Sequence, residues 1–274
     1  MKNGTRLDAY LAENGLSPSR EKAKREIVAG WVRVDGETVR VPSRLLRGTE
    51  EVRVERPGGS FASRGGEKLD RALDVFAIDA AGRVVADLGA STGGFTDCLL
   101  KRGAALVYAV DVGYGQLDYG LRVDERVVVM DRTNVRKLSR GDFARKAELV
   151  TADLSFISLV KAADAVVASF EPAEGVLLIK PQFEAGRGEH KKGVVREAAK
   201  HAEILLRLIP ELAGRHIGFR GLCHSPLKGP AGNIEFFLHA DIGRSFLPES
   251  GELAQIVERV VGEAHRALDD AKNG

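Results

Sequence analysis

The chain has 274 residues, 44% of them hydrophobic and 29% charged, with a formal net charge of +2 at pH 7. This composition is that of a globular protein long enough for two domains, and it excludes a disordered, collagen-like or disulfide-stapled chain, because Cys98 and Cys223 are the only cysteines. No apolar run approaches the ~20 residues of a membrane helix. The first fifteen residues lack the apolar stretch of a secretion signal, and the six histidines show no metal-ligand spacing. A reduced, cytoplasmic, metal-free monomer is the expectation.

In chain order, Leu7, Tyr10 and Leu11 recur at helical spacing until Asn14-Gly15. Ser17 or Ser19 can cap a second helix with Ala23, Ile27 and Val28 on its apolar face and Gly30 at its end. Trp31–Val34 and Thr38–Val41 flank Asp35-Gly36, a hairpin signal, and Glu51–Val54 adds a last strand. Pro57-Gly58-Gly59-Ser60 reads as a linker. Charge is uneven over this stretch: residues 1–47 hold ten Lys/Arg and six Asp/Glu. A basic head on a near-neutral body meets a polyanion, or is merely a solvated face.

Beyond residue 64 strands and helices alternate. Val84–Leu88, Leu106–Val110, Val127–Met130, Leu149–Ala152 and Val176–Ile179 are apolar strands, and Phe95–Arg102 is a helix ended by Gly103. Arg196–Leu212 is another helix, a pair of strands lies around Phe219 and Phe236, and Leu253–Ala267 closes the chain as an amphipathic helix. The pattern predicts an α/β fold, a Rossmann-like doubly wound sheet whose ligand loops sit at the strand C-termini.

The informative loop is Asp87-Leu88-Gly89-Ala90-Ser91-Thr92-Gly93-Gly94-Phe95, between the first of these strands and its helix. Small residues allow close approach of backbone to ligand, and the helix start offers free N–H groups. Ser91 replaces the second glycine of a dinucleotide-binding loop, and Asp87 would repel phosphates while suiting the cationic amino-acid part of S-adenosylmethionine. Asp111 ends the second strand, where an acid commonly holds ribose hydroxyls. Asp131 ends the third, beside an adenine or simply capping a turn. These residues leave a methyltransferase, a dehydrogenase and structural glycines all open.

Two resemblances narrow the choice. The segment RLDAYLAENGLSPSREKAKREIVAGWVRVDGETVRVPSRLLRGTEEVRV resembles the S4 RNA-binding domain, which implies a surface for structured RNA built from Arg6, Ser19, Arg20, Lys22, Lys24 and Arg25. The segments SRGGEKL, DLGASTGGFT, DVGYGQL, ADLSFISL, IKPQFEAG and GNIEFF are similar to those of the TlyA (hemolysin A) family, which joins an S4 domain to an FtsJ-like methyltransferase domain. The expected division is an S4 domain over 1–56, a linker over 57–62 and a methyltransferase domain over 63–274, with Arg64 joining the RNA-binding set.

The second resemblance implies S-adenosylmethionine as cofactor and a Lys-Asp-Lys-Glu tetrad that falls on Lys68, Asp153, Lys180 and Glu235. It also implies cytidine 2′-O-methylation in ribosomal RNA of the small subunit, the large subunit or both. A ribose hydroxyl needs its proton removed as it attacks. Lysine serves as that base only if its pKa falls well below about 10.4, which desolvation and a neighbouring cation favour. Lys180 is the expected base, Lys68 the neighbouring cation, and Asp153 and Glu235 orient and balance charge; Asp153 also borders the cofactor. His224 and the polar loop Arg187–Lys192 are secondary expectations for the RNA side. The competing readings are a non-catalytic RNA-binding assembly factor and a membrane-active hemolysin.

Overall fold

The computed structural model describes residues 4–54, 61–185 and 193–269, and the chain divides into two compact units, Met1–Ser60 and Phe61–Gly274. The glycine-rich stretch 57–60 and the loop 187–192 singled out above lie outside the described residues.

In the first unit, β1 (Thr5–Arg6) leads into α1 (Leu7–Glu13) and pairs antiparallel with β4 (Leu45–Leu46). The second helix, α2 (Arg20–Ala29), is capped by Ser19, whose hydroxyl accepts a hydrogen bond from Lys22 N at 3.2 Å, and it ends on left-handed Gly30. Strands β2 (Val32–Val34), β3 (Glu37–Val39) and β5 (Val52–Val54) form a sheet in the order β3-β2-β5. Asp35 and Gly36 both take positive φ, 52° and 82°, as a two-residue hairpin turn requires. Leu7, Leu11, Ala23, Ile27, Val32, Val34, Val39 and Leu46 are the buried core. Val28, expected on the apolar face, is 57% exposed: it lies one position past Ile27, far enough round the helix to leave a core this small.

The second unit opens with α3 (Arg64–Val75) and then builds one seven-stranded sheet. Its elements are β6 (Val84–Leu88), α4 (Gly94–Lys101), β7 (Leu106–Val110), α5 (Tyr119–Arg122), β8 (Val127–Met130), β9 (Leu149–Ala152), α6 (Val160–Phe170), β10 (Ala173–Ile179), α7 (Pro181–Glu184), α8 (Ala198–Ala213), β11 (Ile217–His224), β12 (Phe236–Ile242) and α9 (Ser250–Asp269). The spatial order is β11-β12-β10-β9-β6-β7-β8; neighbours from β10 to β8 run parallel, and β12 is antiparallel to both β10 and β11. Alternate residues of β6 feed opposite faces: Val84, Ala86 and Leu88 join the core shared with α6, α8 and α9, and Val85 joins the core with α3 and α4. This is the expected α/β sheet with one reversed strand. The reversal puts the start of β12 at the same rim as the C-terminal ends of the parallel strands.

The second unit begins at Phe61, two residues inside the expected linker. Ala62 N donates to Asp97 Oδ2 at 2.6 Å, and Lys101 Nζ lies 5.2 Å from the centre of the Phe61 ring, so both residues dock on α4.

Candidate active site at the strand rim

Four chain segments deliver ionisable side chains to one rim. Lys68 projects from the second turn of α3, a helix capped by Ser63, whose Oγ accepts from Gly65 N at 3.2 Å. It is 7% exposed, and its Nζ donates to Glu235 Oε2 at 2.6 Å. Glu235 directly precedes β12 and is 1% exposed. Burial pushes its carboxyl above the usual range, with the charges of Lys68 and Lys180 pulling the other way. Gly229 packs against this carboxylate so tightly that a Cβ there would collide with Oε1.

Asp153 follows β9 and Lys180 follows β10, on adjacent parallel strands. Lys180 Nζ lies 2.5 Å from Asp153 Oδ1 and donates to Ser155 Oγ at 2.8 Å. The rim thus holds two lysine–carboxylate pairs, with Lys180 and Asp153 close enough to act electrostatically on Glu235.

The glycine loop lies one strand away, after β6. Gly89, with φ 88°, sits where a Cβ would lie 2.5 Å from Asp153 O, so the loop is pressed against the β9 end. Gly93, with φ 95°, likewise has no room for a side chain beside Leu121. Ala90, Gly94 and Phe95 are buried, whereas Ser91 and Thr92 form an exposed tip. Asp111, after β7, accepts from Ser91 N at 2.8 Å through Oδ2 and from Gly113 N at 2.7 Å through Oδ1, fixing its carboxylate against that tip.

One acid, Asp87, is placed differently from expectation, and a second, Asp131, keeps its place after β8 with an ion-pair partner. Asp87 is fully buried beneath the loop, its oxygens accepting from Thr96 Oγ1 at 2.7 Å and Thr151 Oγ1 at 3.1 Å. Burial pushes its carboxyl up to about 7. It ties the loop's helix to β9 and has no exposed surface to offer a ligand. Asp131 is engaged by Arg122 at 2.8 Å.

Residues that the sequence reading passed over stand beside the pairs. Phe156 is 91% exposed with φ 64°, its ring centre 5.3 Å from that of Phe183. Glu184 Oε1 accepts from Leu159 N at 2.8 Å, and burial raises its carboxyl; it ties α7 to the loop carrying Asp153 and Phe156. Phe156 lies beyond the strand ending at Ala152, and nothing in the periodicity flagged its exposure. His224 accepts or donates locally, its Nδ1 2.9 Å from Ser225 O.

In the first unit the proposed RNA-facing residues are individually placed. Arg6 and Arg20 are half exposed and both reach Asp8, at 2.9 and 3.3 Å; the hydrogen bond from Arg6 leads in lowering the Asp8 carboxyl to about 2. Lys24 pairs with Glu21 at 2.6 Å, Arg25 is exposed, and Ser19 and Lys22 form the helix cap. Arg64, in the second unit, donates to Lys228 O at 3.3 Å.

The sequence profile of FtsJ-like methyltransferases matches residues 61–242, and that of the S4 domain matches residues 5–52. The 16S/23S rRNA (cytidine-2′-O)-methyltransferase TlyA of Mycobacterium tuberculosis (strain ATCC 25618 / H37Rv) is 45% identical over 244 residues, which is 87% of this chain and 90% of that protein. This chain belongs to the TlyA family of FtsJ-like methyltransferases. YqxC of Bacillus subtilis (strain 168), a further relative of this TlyA-family chain, is 42% identical over 275 residues, 97% of this chain and 96% of its own length. A solved structure of a protein described as a hemolysin, from Streptococcus thermophilus, superposes with a TM-score of 0.77 at 35% identity and covers 100% of both chains.

Proposed function

We propose that this methyltransferase moves a methyl group from S-adenosylmethionine to the 2′-hydroxyl of a cytidine in ribosomal RNA, in the cytoplasm, with Lys68, Asp153, Lys180 and Glu235 as its working residues. The observation that carries the reading is the meeting of two lysine–carboxylate pairs, Lys68–Glu235 and Lys180–Asp153, at the rim next to the glycine loop. The substrate class is inferred from the TlyA relative.

The loop fits such a cofactor. Each oxygen of Asp111 retains a lone pair for sugar hydroxyls after bonding Ser91 and Gly113. The residues that would hold it are Ser91, Thr92 and Asp111, with Asp131 at the edge and Gly89, Ala90, Gly93, Gly94 and Phe95 setting the loop's shape. Asp87 acts from below, through Thr96 and Thr151. When bound, S-adenosylmethionine supplies an electrophilic methyl group on a cationic sulfur, for the ribose oxygen to take.

The chain's own task is the proton. Lys180, once its own proton has passed to solvent, accepts the hydroxyl proton at Nζ as the oxygen attacks, with Ser155 holding the nitrogen. Desolvation and the charge of Lys68 favour that first loss, and the adjacent Asp153 opposes it. Asp153, 2.5 Å away, stabilises the ammonium that results. Lys68 is locked by Glu235 in a nearly dry pocket and faces the substrate oxygen with a fixed positive charge. Phe156 offers an exposed aromatic face on which a base can stack.

The test is a labelled-methyl transfer assay on 30S subunits, 50S subunits and free rRNA, comparing wild type with Lys180→Ala. A general base contributes typically 10²–10⁴-fold. The variant is therefore expected to lose at least about 10²-fold in turnover, while its cofactor affinity by calorimetry stays near wild type. Wild-type rates in the variant would end the base assignment, and cofactor binding without transfer to any rRNA would end the substrate assignment.

A further inference from the structure

The crossover from β8 to β9 takes no part in the chemistry above. Over residues 131–148 it holds six cations, Arg132, Arg136, Lys137, Arg140, Arg145 and Lys146, against three acids, of which Asp131 is engaged by Arg122 and Glu148 by Val84 N, leaving Asp142. All six are exposed. Asp142 is occupied by the N–H and hydroxyl of Ser139, at 2.7 and 3.0 Å. Among the described residues none of the six is paired with a carboxylate, and Arg140 donates to the backbone oxygen of Glu171 at 3.4 Å. Arginines around them are neutralised: Arg122 by Asp131 at 2.8 Å, Arg126 by Asp124 at 2.7 Å, and Arg83 by Glu174 at 2.7 Å.

The segment is also held rigid. Val135 and Leu138 are buried in the core and pin one 3₁₀ turn, Val135–Lys137, which Asn134 caps by accepting from Arg136 N at 3.0 Å. Ser139 and Asp142 form a reciprocal cap on a second turn, Arg140–Asp142, and Arg145 N donates to the Tyr108 hydroxyl at 2.8 Å. The segment runs the length of the sheet, from the end of β8 to the start of β9. At the first end Arg132 takes φ 55°, its N bonded to Gly113 O at 2.8 Å and its guanidinium 4.4 Å from the ring centre of Tyr114, which is 69% exposed. Gly113 is the residue whose N–H holds Asp111.

We infer that this crossover is a second polyanion-binding surface, carried by the methyltransferase unit itself, which tracks the sugar–phosphate backbone of the RNA substrate; it rests on the RNA reading above. Cations without a carboxylate partner on a pinned backbone meet phosphates without the chain first reordering, and such contacts give affinity and register without reading sequence. The Arg132–Tyr114 pair terminates the row beside the cofactor loop, where a cation on an aromatic ring presents a flat face to a base or sugar.

The full chain is tested against two variants, Arg136→Gln/Lys137→Gln/Arg140→Gln and Arg145→Gln/Lys146→Gln, none of which alters the reacting groups. A fluorescein-labelled RNA duplex of about 20 base pairs, ample for a row of phosphate contacts, is titrated at several salt concentrations, with cofactor calorimetry and thermal unfolding as controls on folding. Removing one cation–phosphate pairing reduces the slope of log affinity against log salt by about 0.7–0.9. The triple variant should lower the slope by about two to three and the double variant by about one to two, with cofactor affinity unchanged. Slopes equal to wild type in both variants, or no RNA binding by wild type, overturn the inference. Because this readout needs no methyl transfer, it stands apart from the rRNA assay: a wild type inactive on every rRNA would sink the substrate reading and leave the slope comparison to decide the surface.

Discussion

Asp87 illustrates how a single residue can serve a site without touching it. Its carboxyl is walled in by β9 and α4, and the cost of desolvating a charge there exceeds what two threonine hydroxyls return, so burial raises it to about 7. An acid raised in this way contributes stability fully below its unfolded value of about 3.9 and loses it as pH rises through the folded value. Urea unfolding of wild type should therefore weaken between about pH 4 and about pH 8 relative to Asp87→Asn. That variant is neutral at every pH and keeps one threonine hydrogen bond while its NH2 donates to the other hydroxyl. Parallel stability curves for the two proteins would show that the carboxyl is already ionised without penalty. The Lys68–Glu235 pair obeys the opposite logic: removing either partner strands a buried charge, at about 3–5 kcal/mol, so its neutral variants confound activity with folding.

At the scale of elements, Gly229 is the sharper probe. It lies in the turn between β11 and β12 and touches the Glu235 carboxylate with no space for a Cβ. Gly229→Ala should shift Glu235, and with it Lys68, by a fraction of an ångström to an ångström, a misplacement that costs up to about 10²-fold in kcat. Cofactor affinity should hold, since the loop after β6 is untouched. An unchanged kcat would mean that the turn relaxes without moving the carboxylate. Among the strands that the sequence announced, Leu106–Val110 and Val176–Ile179 stand out as continuous apolar runs, because both faces are largely buried. Helix α3 was not read as a helix: its first turn contains Gly65-Gly66, which resembles a continued linker, although Leu69, Ala72 and Leu73 keep helical spacing. Gly66 has no room for a Cβ beside the Phe61 side chain, and a Cβ on Gly94 would strike the Ser63 hydroxyl and the backbone of Gly66, so α3 meets α4 closely at its first turn. Strand β10 starts at Ala173, three residues before its apolar run, because pairing on both sides holds Ala173-Glu174-Gly175 extended against weak local preference.

For the molecule as a whole, sequence conveyed the class of fold, the order of its two units and the four segments of the rim. It could not convey that β12 runs against its neighbours, since direction depends on which strands pair, nor that Asp87 faces inward and Phe156 outward. The basic crossover was equally hidden: its cations are spread among turn residues, and only the structure separates them from the arginines that ion pairs already neutralise. Charge summed over the chain is +2, which conceals two basic surfaces on an otherwise acidic body.

The reversed strand also divides the second unit into a rim that holds the reacting groups and an opposite rim that, of the proposed surfaces, carries only the far end of the basic crossover. Every proposed reacting group sits where the parallel strands end and β12 begins, so the turn from α8 into β11 at Gly214, Arg215 and His216 lies at the far end of the sheet. A reporter peptide spliced into that turn should leave methyl transfer within about twofold of wild type, because loop length there costs only the slow logarithm of chain closure. The same peptide between Gly229 and Asn233 should silence the enzyme. The chain can therefore be labelled, tethered or lengthened from behind while its chemistry proceeds in front.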